Sequence, residues 1–239
     1  MRTGRRVLLA SAASAARAAC VAILPWPALA ATDGQAVPAQ RRRVETARLP
    51  APGSYTLARV MAAPDGTVLS SQGHAQRLHS VLRGRLSVMS FMYTYCRDAE
   101  GCPLARAAME GLHSALLREP DLAAASQLVS LSFDPTNDTP HQMRMYGGDR
   151  IGDPRLAWRF ITTATVSALM PLLRGLGQDV TVEVDASGRA TRTLNHMLKL
   201  FLIDGRLQVR EIYSVATLDA QVLLNDLRTL QMEQRASRP

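Results

Sequence analysis

Four apolar runs of strand length constrain this chain most: "LSVMSFM" (86–92), "SQLVSLSF" (126–133), "AWRFIT" (157–162) and "LKLFLID" (198–204). Runs this short, built mainly of apolar and small residues, read as strands covered on both faces. The segments between them have the other period. Leu104, Ala108, Met109, Leu112 and Leu116 follow Pro103 at helical spacing, and proline suits a first helical turn because its missing N–H has no partner there anyway. Thr139-Pro140 opens a short helix that ends at Gly147-Gly148. "TVSALMPLLRGLG" (165–177) is helical around the irregularity of Pro171, and residues 217–234 form a last amphipathic helix with Leu218, Val222, Leu227 and Leu230 on its apolar side. "LQVREIY" (207–213) pairs across Gly205 with 198–204 as a hairpin. "YTLARVMA" and "TVLSS", separated by Pro64-Asp65-Gly66, predict another at the front. The pattern is α/β: a central mixed sheet flanked by helices, with an extra N-terminal β-hairpin.

A chain of 239 residues has room for one good-sized domain and a leader. The leader is legible. "MRTGRR" is a positive start, a mostly apolar stretch follows, and Ala28-Leu29-Ala30 is a small-x-small cleavage site before Ala31. Arg17 interrupts the stretch and argues against an uncleaved membrane span. The expectation is a periplasmic protein, exported and cleaved after Ala30, or one anchored to the inner membrane if the leader is retained. Residues 31–53 have no periodicity and read as a flexible linker, 54–234 as the domain, and 235–239 as a tail.

The formal charge of +8 invites a nucleic-acid reading. Yet Arg2, Arg5, Arg6 and Arg17 lie in the leader, where there is no acidic residue, so half of that excess leaves with it. The remaining basic residues are scattered among acids, apart from Arg41-Arg42-Arg43, and no basic stripe interleaves with aromatics. Nucleic acid is set aside.

Cleavage removes Cys20 and leaves Cys96 and Cys102, with five residues between them, in the turn between a buried strand and a helix. In an oxidising compartment two cysteines are ordinarily one disulfide. A disulfide closing so short a loop adds little stability, and the unpaired N–H groups of a helix N-terminus lower a thiol pKa and favour thiolate. A staple, a redox pair and a metal clamp therefore all stand. Two thiolates prefer Cu(I), and one added imidazole lets the site hold Cu(II) as well. Zinc fits less well, since a structural zinc site wants four ligands and three are evident. A Cys–His nucleophile is a further reading, without an evident oxyanion arrangement or substrate pocket. His141, Met143 and Met145 could form a second copper cluster, although on a short helix such residues usually serve surface and packing.

"SFMYTYC-x5-CP", "SFDPTNDTP" and "LNHMLKLFLIDG", in that order across roughly residues 50 to 232, resemble the Sco/SenC family of copper-binding, thioredoxin-like proteins. The resemblance implies one copper ion per chain, as Cu(I) or Cu(II), on Cys96, Cys102 and His196. Asp134 matches the acidic residue the family keeps near its site, and Trp158 a residue after the third strand; the two would tune the metal or dock a partner. The spacing departs from the family, whose usual pattern is C-x3-C; here the insert is "RDAEG".

What the resemblance implies is a metallochaperone, rather than an enzyme, in the assembly of a respiratory copper centre such as copper A of cytochrome c oxidase. Its partners would be a copper-accepting oxidase subunit and a thioredoxin-like reductant, with no small-molecule substrate. The first alternative is a thiol–disulfide oxidoreductase that uses Cys96 and Cys102 to reduce a partner's cysteines before metallation. The second is a redox or copper sensor acting by contact. His196 separates metal binding from simple disulfide exchange, because only the former needs it.

Overall fold

A computed structural model describes residues 49–96 and 101–237, with backbone alone at Gly101 and Cys102. The leader, most of the linker and the segment Arg97–Glu100 lie outside the described residues. Three of the apolar runs form parallel neighbours: β4 (Leu86–Met92), β5 (Ser126–Ser132) and β6 (Ala157–Thr162). β9 (Lys199–Ile203) lies antiparallel on β4, and β10 (Gln208–Ser214) antiparallel on β9. With β1 (Met61–Ala62), β2 (Thr67–Ser70) and β3 (Ala75–Arg77), they make an eight-stranded mixed sheet in the order β1-β10-β9-β4-β5-β6-β2-β3.

Both faces of the sheet are covered, as the apolar runs require. On one side Leu86, Val88, Leu128, Leu200 and Leu202 pack under α2 (Gly101–Leu116), α3 (Pro120–Ala125), α4 (Pro140–Gly147) and α6 (Ala220–Ala236). On the other, Met89, Phe91, Val129, Leu131, Phe201 and Ile203 meet α1 (Leu78–Leu82) and α5 (Val166–Gly175). Successive strand residues alternate between the two cores, which is the period of a pleated strand. Thr139 caps α4 by accepting from the Gln142 amide at 3.3 Å. At Gly205 a side chain would meet the backbone of Gly84 at 3.1 Å, so the close approach of the β9–β10 turn to that backbone favours glycine.

The N-terminal hairpin is present, one step further along the chain than the spacing predicts. β2 pairs with β3, while β1 crosses to the opposite edge and pairs with β10. The cause is Asp65, whose carboxylate accepts from the amides of Gly66 and His79 and from Arg77 Nε. This ties the Pro64-Asp65-Gly66 turn to the start of α1 instead of closing it on itself. The freed segment 60–63 bonds to the open edge of the sheet, through the Val60 amide to Val209 O and the Ala63 amide to Leu207 O.

A second hairpin escaped the sequence reading. β7 (Val180–Val184) and β8 (Ala190–His196) form a separate two-stranded sheet. Its residues alternate, but most remain exposed, so no apolar run marks it. Residues 49–53, read as the end of a linker, are already tied to α6: the Gly53 amide donates to Thr229 Oγ1 and Asn225 Nδ2 to Pro50 O. Among the described residues no helix is long and apolar enough to cross a membrane.

Candidate metal centre

The parallel strands β4 and β5 carry serines near their C-terminal ends on the face that meets α2. Ser90 and Ser130 are register partners and continue the stripes that begin with Leu86, Val88 and Leu128. Small polar residues there leave space beneath α2 and α4, a cavity of about 300 Å³. Cys96 and His196 both line it, with Trp158, Tyr146, Arg106 and Arg150 among the other walls. The topology thus brings together two of the three proposed ligands, 100 residues apart in sequence. Cys96 is disulfide-bonded in this structure, and the side chain of Cys102 lies outside those described. Its backbone is the second residue of α2, a position where a thiolate is favoured. Among the described residues no group of three or more His, Cys, Asp or Glu side chains stands close enough to hold a metal.

His196 is held in one tautomer. Its Nδ1 stands 3.0 Å from the carbonyl of Leu194, which can only accept, so Nδ1 carries the proton and Nε2 keeps its lone pair for a metal. Phe133, 4.5 Å away between ring centroids, and Tyr93, at 6.2 Å, confine the ring. The donor types fit copper: soft sulfur with one neutral imidazole.

Three consecutive residues fasten the loop before Cys96. Tyr93 accepts from the Leu194 amide at 3.4 Å, joining the loop to the hairpin that carries His196. The Arg192 guanidinium lies 4.0 Å over the ring of Tyr95, a second link to the same strand. Thr94 is held from below by Asp138, which is 1% exposed. Its carboxylate accepts from Thr94 N at 3.1 Å, Thr94 Oγ1 at 2.5 Å and Ser132 Oγ at 2.6 Å.

Asp138 is the residue that sequence reasoning passed over. It stands in the same "SFDPTNDTP" segment as Asp134, and the signal available was its place just before the helix cap Thr139. Asp134 is half-buried in a turn, with its carboxylate accepting from the amide and side chain of Asn137. Trp158 belongs to β6 and is 6% exposed; its indole N–H donates to Ser130 Oγ, and its ring stacks on Phe160. Within the second-cluster motif, Met143 is fully buried while Met145 is exposed, so the three side chains do not share one environment.

His113 packs behind Trp158 at 5.5 Å. Burial is the first cause that pushes its pKa down, opposed by the Asp153 carboxylate and reinforced by Arg150. The folded state thus prefers neutral His113. Its contribution to stability is complete above the ordinary imidazole value of about 6.5 and is lost as pH falls through the lower folded value. Urea midpoints should therefore decline as pH falls below about 6.5, and His113→Phe should flatten that slope. An unchanged slope in the variant would assign the decline to other groups.

A family model described as SCO1/SenC matches residues 67–231, more than half of the chain. The chain belongs to the SCO1/SenC family. Solved structures show the same fold at low identity. Yeast Sco1 with copper bound is 15% identical, with a TM-score of 0.58 over 75% of this chain and 96% of that one. Arabidopsis thaliana ScoI with copper bound is 16% identical, with a TM-score of 0.56 over 71% and 99%. BsSco, described as carrying a disulfide switch and as a member of the Sco family of cytochrome c oxidase assembly proteins, is 17% identical, with a TM-score of 0.56 over 73% and 97%. No curated protein matches the chain in a sequence search. This SCO1/SenC chain thus has the family's mixed sheet with flanking helices, and its relatives include proteins solved with copper.

Proposed function

We propose that this SCO1/SenC protein is an exported metallochaperone that binds one copper ion through Cys96, Cys102 and His196 and delivers it to a respiratory oxidase subunit, at the copper A centre. The observation that carries the reading is the meeting of Cys96 and His196 at one cavity, with the imidazole's Nε2 left as the lone-pair nitrogen. The copper-bound relatives support the choice of metal, and the oxidase-assembly description of BsSco supports the acceptor class. The test is metal analysis of the reduced protein kept from air. One equivalent of copper is expected, and a copper-free protein under copper-replete conditions would overturn the proposal.

Removing His196 should separate the valences. His196→Ala should weaken Cu(II) binding by at least about tenfold and Cu(I) much less, because two thiolates still satisfy the softer ion. An unchanged Cu(II) affinity and spectrum would mean that the histidine is not a ligand. Export with cleavage after Ala30 belongs to the same reading, and N-terminal sequencing of the exported protein should begin at Ala31.

A second reading has its own support. The disulfide at Cys96 fits a thiol–disulfide oxidoreductase in which Cys96 and Cys102 form the redox pair and reduce a partner's cysteines. Both roles draw on the same reduced thiols, and a Cys96–Cys102 disulfide is the resting form of either.

A further inference from the structure

The cavity that reaches Cys96 has a charged rim that neither copper nor its ligands explain. Glu110 sits between two arginines: Arg106 Nε donates to Oε1 at 3.1 Å, and Arg150 Nη2 donates to Oε2. Burial pushes the Glu110 pKa up, but the hydrogen bonds from Arg150 and Arg106 outweigh it and hold the carboxyl below its ordinary value. One negative charge thus faces two positive ones, and each guanidinium keeps further N–H donors beyond those spent on Glu110. Arg106 also lies over the ring of Tyr146 at 5.3 Å, and Arg150 over Trp158 at 5.5 Å. Both cations are therefore held in place at the cavity wall. At the same cavity stands Cys96, in its disulfide.

We propose that this cavity binds a carboxylate-bearing low-molecular-weight thiol, of tripeptide size, which reduces the disulfide and prepares the protein for copper. The proposal rests on the Cys96–Cys102 pairing put forward above, and it revises the expectation that the protein has no small-molecule substrate. A volume of about 300 Å³ is at the small end of ligand pockets. The residual positive charge and the planar guanidinium forks suit a carboxylate, and the aromatic walls suit the ligand's apolar stem. A thiolate held there attacks the Cys96 sulfur and forms a mixed disulfide, while the Cys96–Cys102 bond breaks and its electron pair leaves on Cys102. Cys102 belongs to the first turn of α2, and a helix N-terminus stabilises a leaving anion. A second thiolate then attacks the small-molecule sulfur of the mixed disulfide. Two small thiols are oxidised to one small disulfide, the protein disulfide is reduced to two thiols, and the two protons of the attacking thiols end on the cysteines.

Binding and reaction can be measured apart. S-methylglutathione cannot react, and calorimetric titration of the full chain with it should saturate with a dissociation constant of about 1 mM. Arg106→Gln should weaken that binding severalfold. Glu110→Gln should tighten it severalfold, a gain that a misfolded variant would not show. Reduction of the oxidised chain by glutathione should saturate with concentration, whereas reduction by 2-mercaptoethanol should rise linearly. No saturable binding of S-methylglutathione, or affinity unmoved by both substitutions, would overturn the cavity's role even if copper still binds. Saturable binding with linear reduction kinetics would overturn the reductive step alone. Absence of any disulfide in the air-oxidised chain, by mass, would instead overturn the Cys96–Cys102 pairing beneath it.

Discussion

Oxidising Cys96 and Cys102 is expected to lower copper affinity by about three orders of magnitude, or roughly 4 kcal/mol. Copper and a disulfide need the same two sulfurs. A sulfur committed to an S–S bond has lost the anionic charge that makes it a metal ligand. A disulfide holds its sulfurs at about 2.05 Å, whereas a shared metal ion holds them well apart, so the five residues between the cysteines must serve both geometries. Cys96→Ser and Cys102→Ser should each give a loss of the same order, because one soft ligand with one imidazole holds Cu(I) poorly. Bound Cu(I) should conversely slow disulfide formation. The measurement is a copper titration of matched samples, one fully reduced and one with the disulfide confirmed by mass. Equal affinities would remove the cysteines from the copper site and return the pair to a staple or a purely redox couple.

Replacing Asp138 should cost more stability than any other single change near the site. Its carboxylate is buried and accepts from Thr94 N, Thr94 Oγ1 and Ser132 Oγ. Asp138→Ala leaves those donors without their acceptor, and each buried unsatisfied group costs about 1–3 kcal/mol. A loss of about 3–5 kcal/mol is expected, a fall in Tm of roughly 10 °C for a domain of this size. Because Thr94 lies two residues before Cys96, the variant should also bind copper more weakly and with a broadened spectrum. Asp134→Ala should cost no more than about 1 kcal/mol, since its carboxylate contacts are confined to Asn137 three residues away. Thermal melts and copper titrations of the two variants test the contrast directly. Equal effects would mean that the loop before Cys96 is held by something other than Asp138.

The two predictions depend on unequal kinds of information. That Cys96 and Cys102 lie between a buried strand and a helix is written in local order, since apolar runs of strand length and 3.6-residue periodicity are properties of neighbours. The same holds for β4, which spans residues 86–92, for β6 over 157–162, and for α4, begun by Thr139-Pro140 and closed by Gly147-Gly148. Pairing is a different matter. The turn at Pro64–Gly66 looks local, yet Asp65 bonds forward to His79 and sends β1 to β10. The β7–β8 hairpin carries no apolar run because little of it is buried, so periodicity could not mark it.

By itself the sequence determined the mixed α/β architecture, the place of the two cysteines between a buried strand and a helix, and through its motifs the SCO1/SenC membership that the family match bears out. Burial imposes those features on each segment separately, and each segment displays them. Only the tertiary structure decided what surrounds the cysteine: that Ser90 and Ser130 leave a cavity between sheet and helices, and that Arg106, Glu110 and Arg150 charge its wall. It also decided that Asp138 rather than Asp134 holds the loop from beneath, and that the hairpin bearing His196 is fastened to Tyr93 and Tyr95. These contacts join residues that are from 4 to 101 positions apart. Their partners are chosen by the packing of whole elements, and no period along the chain records that choice.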